Sequence, residues 1–217
     1  MASLAHQIRT PLSSALLYAQ NLTSPKLNPQ SREQFQHKLV ARLVDLEQQV
    51  NDMLLFARAG REQQVEPLSL QRLLSDVFAG VEALVEQQQS QIHIQLPEPD
   101  VQILGNPRSL AGAIQNLIQN SMQIIGQGAV LKLEARLDTA NPQQVMIAVE
   151  DNGPGIPEEI QDKLLVPFFT TKKGTEGTGL GLSITHDIIK SHEGELVIES
   201  EVGEFTRFRI LLPKTII

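Results

Sequence analysis

Apolar positions along residues 1–59 recur every three or four residues. Leu4, Ile8, Pro11, Ala15, Tyr18 and Leu22 form one series, and Leu39, Leu43, Leu46, Val50, Met53 and Ala57 a second. Spacings of this kind put apolar side chains on one seam of a helix, so the pattern predicts two helices. Between them Thr23-Ser-Pro-Lys-Leu-Asn-Pro-Gln breaks the periodicity with two prolines and reads as a connector. A lone hairpin cannot bury both seams well. A four-helix bundle built by two chains is the natural solution, and packing of the hairpin on the rest of its own chain is the alternative.

Downstream the pattern changes. Residues 60–67 are polar and read as a linker to a second domain over 68–217. Ser69 is placed to cap a helix running to about Gln89, with Leu70, Leu73, Leu74, Val77, Val81, Leu84 and Val85 on its buried side. Period-two alternation predicts strands at 91–96, 130–137, 145–149, 196–200 and 207–212. Helices are expected at 107–125 and 181–191, with Gly194 as the stop after the second. The predicted fold class is therefore an all-α hairpin followed by an α+β sandwich, helices on one face of a mainly meandering sheet.

Composition narrows the function classes. A net charge of −7 argues against nucleic acid as a main partner, although ordinary solubility also explains it. No run is long and apolar enough to span a bilayer, so no membrane contact is expected in this stretch and a cytoplasmic location is read. The chain has no cysteine, which excludes disulfides and thiolate metal sites.

Near the start stands His6-Gln-Ile-Arg-Thr-Pro-Leu. With Met1, Leu4, Ile8 and Pro11 on the seam, His6 falls on the solvent face, as a nucleophile reached by another domain requires. Pro11 has no amide hydrogen, so the carbonyl of Gln7 loses its helical partner and a bend is expected. An exposed histidine is by itself an ordinary surface residue, and His37, His93, His186 and His192 are read that way. The string around His6, however, resembles the phosphoacceptor box of the dimerising histidine kinase domain. The resemblance implies that His6 is the phosphorylated residue, that Thr10 helps position water when the phosphorylated partner is dephosphorylated, and that Arg9 supports nearby phosphate or carboxylate charge. Most relatives carry Glu or Asp after the histidine. Here that residue is Gln7, and no acid occurs from Met1 to Leu22, so slower self-phosphorylation is expected and Gln7→Glu should raise the rate.

Three further motifs follow in order. Asn116 and Asn120 lie at i and i+4 within a predicted helix and share a face; amide oxygens suit Mg²⁺, which prefers hard donors, although an isolated pair of this kind more often just faces solvent. Asp151-Asn-Gly-Pro-Gly-Ile follows an apolar strand, where an aspartate can receive an adenine amino group, or simply begin a turn. Gly177-Thr-Gly-Leu-Gly-Leu leads into a helix, an arrangement that lets backbone amides approach oxyanions. Between them Val166-Pro-Phe-Phe-Thr-Thr-Lys-Lys reads as a lid or as a plain surface loop.

Together these resemble the nucleotide boxes of the ATP-binding fold shared by histidine kinases, gyrase-type enzymes, Hsp90-type chaperones and mismatch-repair ATPases. The resemblance implies ATP and Mg²⁺ as cofactors. It implies a site of Asn116, Asn120, Asp151, Gly153, Gly155, Ile156, Phe168, Thr171, Lys172, Lys173, Gly177, Thr178, Gly179, Leu180, Gly181, Leu182 and Thr206, with Asn120 on the metal and Asp151 on adenine. Two departures bear on phosphate contacts: Phe205 stands where a glycine is usual, and Gln123 and Ile124 replace common basic and aromatic residues. ATP-hydrolysing relatives carry Glu where this chain has Asn116, because attacking water must lose a proton. The resemblance thus implies a sensor histidine kinase, homodimeric through its hairpin, that phosphorylates His6 and passes the phosphate to a response regulator receiver domain. Its boxes most resemble flagellar-regulatory kinases of sigma-54 activator systems. A phosphatase-biased or non-catalytic scaffold is the alternative. Sensor regions are expected upstream of Met1.

Overall fold

The structure is a computed structural model and describes residues 4–59, 64–171 and 179–215. Helices α1 (Leu4–Leu22) and α2 (Pro29–Ala59) form the predicted hairpin. Asn28 starts α2 by accepting the Ser31 N–H at 2.7 Å, with Pro29 as first helical residue, where its lack of an N–H costs nothing. Arg32 ties the connector by donating to the Leu22 carbonyl at 3.1 Å. Helix α1 is assigned continuously through Pro11. The hairpin covers only part of its apolar surface. Ala15 is buried, whereas Leu12, Leu16, Leu17, Val40, Leu43 and Val44 are all exposed.

The second unit comprises β1 (Glu66–Ser69), α3 (Leu70–Gln87), β2 (Gln91–Gln95), β3 (Gln102–Gly105), α4 (Pro107–Ile125), β4 (Val130–Leu137), β5 (Gln144–Asp151), α5 (Glu158–Gln161) with a 3-10 turn at Asp162–Leu165, α6 (Gly181–Ser191), β6 (Glu195–Glu201) and β7 (Phe205–Pro213). The large sheet runs β2-β4-β5-β7-β6, antiparallel except for the parallel β2–β4 pair. Helices α3, α4 and α6 share one core with its inner face, built on Leu70, Leu74, Ile114, Leu117, Ile147 and Ile210. The expected α+β sandwich is therefore present, with α4 spanning the predicted range.

Two strands escaped the pattern. β1 and β3 form a separate antiparallel pair, each only four residues long, too short for alternation to register. β1 begins at Glu66, inside the stretch read as linker, and Ser69 then caps α3 by accepting the Arg72 N–H at 3.1 Å. The stop after α6 also differs. Glu193 takes the left-handed conformation, at φ 58°, and Gly194 serves another need: a Cβ there would stand 2.6 Å from the Leu211 carbonyl oxygen.

Candidate functional site

Helix α4 supplies the floor of a cavity of about 980 Å³, within the range that holds a small ligand. Asn106 caps this helix, accepting the Ser109 N–H at 3.0 Å. Asn116, Asn120 and Ser121 of α4 line the cavity with Asp151 at the end of β5, Thr206 of β7, Gly155 and Ile156 of the following loop, Thr171, and Gly179, Gly181 and Leu182 at the start of α6. Strand pairing explains why distant residues meet: Asp151 and Thr206 are direct partners across β5 and β7. On its remaining side the cavity is lined by Arg42, Glu47 and Gln49 of α2.

The Asp151 carboxylate is buried and oriented by two donors. Gly153 N–H donates to one oxygen at 2.9 Å, and the buried Ser121 hydroxyl donates to the other through a short hydrogen bond. Such a group accepts an amino group from a ligand in a fixed direction. Asn116 is buried at 7% exposure rather than open on a polar face. Its Nδ2 donates to the Thr185 hydroxyl on α6 at 2.9 Å. Asn120, one turn later, is half-buried and lines the cavity.

The loop after β5 is tied down by β6 and β7. Ser200 Oγ accepts the Ile156 N–H at 2.8 Å and donates to the Phe205 carbonyl at 2.8 Å. Gly155 is held at φ 70° with the Glu201 carbonyl oxygen 2.1 Å from where a Cβ would stand, so only glycine fits. Phe205, the departure noted in the sequence, sits under the Arg207 guanidinium at 5.4 Å.

The structure revises the aromatic anchor. Phe168 is 45% exposed and does not line the cavity; its half-buried neighbour Phe169 does. Phe168 instead adopts φ 69°, uncommon for a side-chain-bearing residue, and its N–H donates to the Gly179 carbonyl at 2.8 Å. Gly153 lies off the cavity wall and acts through Asp151, and Leu180 is buried in the core. Lys172, Lys173, Gly177 and Thr178 lie outside the described residues. His6 and Gln7 fall within α1, but their side chains are likewise outside the description; Arg9 is exposed on the same helix. His192, read as a surface residue, is buried at 8% exposure.

Ser121, Thr185 and Ser200 are not singled out by sequence motifs. A signal existed for Ser121: it stands between Ile118 and Met122 at a core register of α4, where a polar residue needs a partner. On the outer sheet face, burial pushes the Glu134 carboxyl up, but ion pairs with Lys132 at 3.0 Å and Arg136 at 2.9 Å outweigh it and hold the group below its ordinary range. Arg207 hydrogen-bonds Glu150 at 2.6 Å, which keeps its guanidinium more basic than usual. Among the described residues no cluster of His, Cys, Asp and Glu could hold a metal, and no helix is long and apolar enough to cross a membrane.

A helical hairpin joined to a sandwich whose cavity is lined by an asparagine-bearing helix, a strand-end aspartate and a glycine-led helix start defines a histidine-kinase-type ATPase architecture. Residues 105–216 match the histidine kinase-, DNA gyrase B- and HSP90-like ATPase family, and residues 1–62 match the His kinase A (phospho-acceptor) domain. The chain belongs to the sensor histidine kinase family. It is 39% identical to the sensor protein kinase FleS of Pseudomonas aeruginosa over 98% of this chain and 51% of that protein. It is 30% identical to the signal transduction histidine-protein kinase AtoS of Escherichia coli, over 98% of this chain and 34% of AtoS. The chain thus spans about half or less of these relatives. The catalytic domain of histidine kinase ThkA, 28% identical, superposes with a TM-score of 0.62 over 70% of this chain and 97% of that one. Histidine kinase AdeS of Acinetobacter baumannii shares the fold over 97% of this chain and 98% of its own, with a TM-score of 0.72 at 21% identity.

Proposed function

We propose that this chain binds ATP, phosphorylates His6 and hands the phosphoryl group to an aspartate on the receiver domain of a response regulator. The observation that carries the reading is the oriented, buried Asp151 carboxylate in a cavity whose wall also includes Asn116, Asn120 and the start of α6. An adenine amino group is a donor suited to that carboxylate. Mg²⁺, for which the Asn120 carboxamide oxygen is an apt hard donor, would supply charge neutralisation on the phosphates. Three points extend the reading. The units are a hairpin over 1–59, a linker after it and a nucleotide domain that starts with β1 at Glu66; the hairpin forms a homodimer; and the protein works in the cytoplasm, in flagellar gene regulation, as its resemblance to flagellar-regulatory kinases suggests.

In the first step one ring nitrogen of neutral His6 attacks the γ-phosphorus. The bond to the bridging oxygen breaks, ADP leaves, and the proton on the other ring nitrogen passes to water, because Gln7 accepts a hydrogen bond but no proton. In the second, a carboxylate oxygen of the partner attacks the same phosphorus; the phosphorus–nitrogen bond breaks and the imidazole takes a proton back. Arg9 and Thr10, close by on α1, support the phosphate and the water that later removes it.

The test is incubation of the chain and of His6→Ala with γ-labelled ATP and Mg²⁺. Label that survives alkali, is lost in acid and vanishes in His6→Ala is the expected result. Gln7, in place of an acid, favours one second reading, a phosphatase-biased or non-catalytic scaffold. ATP binding without any label would select it.

A further inference from the structure

Asn116 touches α6 at two points one helical turn apart. Its Nδ2 donates to the Thr185 hydroxyl at 2.9 Å, and its Oδ1 lies 2.7 Å from where a Cβ on Gly181 would stand. Thr185 is 1% exposed and Asn116 7%, so the bond is made out of contact with bulk water. Around it the two helices meet in the apolar core through Ala113, Leu117, Ile184 and Ile188, and the other hydrogen bond between them, from the Asn106 N–H to His192 Nε2, lies at the far end of α6. Apolar contacts are non-directional and tolerate small slides of one helix along another, whereas a buried hydrogen bond holds only over a few tenths of an ångström and a narrow angle. The carboxamide therefore sets the rotation and axial position of the first turns of α6 against α4, as His192 does at its last. Gly181 begins α6, and Asn120 lies one turn beyond Asn116, about 6 Å along α4.

We infer that Thr185 is a positioning residue for the nucleotide: through Asn116 it registers the start of α6, where the phosphates would lie, against Asn120, where the metal would lie. This rests on the reading of the cavity as an ATP–Mg²⁺ site and adds to it a residue that touches neither ligand. The adenine end is held by a separate set of bonds, Ser121 and Gly153 on Asp151. Loss of the Thr185 hydroxyl should therefore weaken binding of the phosphate–metal end while sparing the adenine end. A merely structural role would weaken both together.

The experiment is calorimetric titration of the chain with ATP plus Mg²⁺ and, separately, with adenosine. Thr185→Val, of nearly the same shape without the hydroxyl, is expected to lose about tenfold in affinity for ATP–Mg²⁺ and to keep its adenosine affinity. Thr185→Ser should restore the wild-type value. If the valine variant does not fold, Thr185→Cys, whose sulfur is only a weak acceptor, takes its place. Equal ATP–Mg²⁺ affinity in wild type and variant overturns the inference, as does a parallel loss for both ligands or failure of serine to restore. A wild-type chain that binds ATP–Mg²⁺ without labelling His6 removes the kinase reading alone, and the affinity ratio still decides Thr185. A wild-type chain that binds no ATP overturns both.

Discussion

His192 and Asn106 are joined across eighty-six positions of sequence: Nε2 of the imidazole accepts the Asn106 backbone N–H at 2.9 Å. Its Nδ1 lies 2.7 Å from the Ile188 carbonyl, so the ring is the neutral tautomer with its proton on Nδ1. Asn106 is also the cap of α4, and the imidazole thereby pins the helix that floors the cavity to the end of α6. His192→Leu takes the partner from the half-buried Asn106 N–H, which costs about 1 kcal/mol. Urea unfolding should show that loss; an unchanged midpoint would remove the imidazole from the account.

Ser121→Ala takes one of two donors from the Asp151 carboxylate. Hydrogen bonds to charged groups contribute about 1.5–3 kcal/mol to stability, so the variant should unfold more readily, and ATP affinity should fall by about tenfold as the carboxylate loses its fixed direction. Calorimetry on the variant checks this, and wild-type affinity would show that Gly153 alone orients the carboxylate.

Gly155 and Gly203 both have positive φ, at 70° and 86°, yet differ in surroundings. A Cβ at Gly155 meets the Glu201 backbone, while one at Gly203 meets nothing within 4 Å. Gly203→Ala should cost only the left-handed penalty of about 1–2 kcal/mol. Gly155→Ala should cost clearly more and weaken nucleotide binding as well. Equal unfolding midpoints for the two variants would contradict the close approach.

The exposed leucines and valines of the hairpin are the surface a second copy would cover. Leu16 at 54% exposure and Val40 at 59% stand on α1 and α2 respectively, away from the cavity. The double substitution Leu16→Asp and Val40→Asp should convert a sedimenting dimer to a monomer while the nucleotide domain stays folded. A dimer that survives both charges would move the interface elsewhere.

Stability should also report the outer sheet face. The carboxyl of Glu134 is held below its ordinary value of 4.5 in the folded chain. A depressed carboxyl contributes stability that is fully present above the unfolded value and lost as pH falls through the folded one. Glu134→Gln should therefore lower stability at pH 7 by less than about 1 kcal/mol, the usual worth of a partly exposed pair, and added salt should shrink the difference. Below the lowered value the two proteins should unfold alike. A difference that persists in acid would have another cause.

The helices and long strands were legible in the sequence because their signals are local. The periodic apolar positions of α3 and α4, and the alternation in β4, lie within single segments, and Ser69 sits beside the turn it caps. So were the boxes around His6, Asn120, Asp151 and Gly181, since a motif is read from neighbours in the chain. Short β1 and β3 were not legible, because four residues carry too little alternation. Nor was the left-handed Glu193, since glycine is the usual sign of that conformation and Gly194 stood next to it. The sequence by itself thus determined which long elements form and which residue types the site contains. Tertiary structure decided which of them touch. Whether Phe168 or Phe169 faces the cavity, and whether a buried Ser121, Thr185 or His192 finds a partner, depends on how α4, β5 and α6 are packed. Burial is a property of one position, whereas a hydrogen bond is directional and here joins residues thirty to eighty-six positions apart.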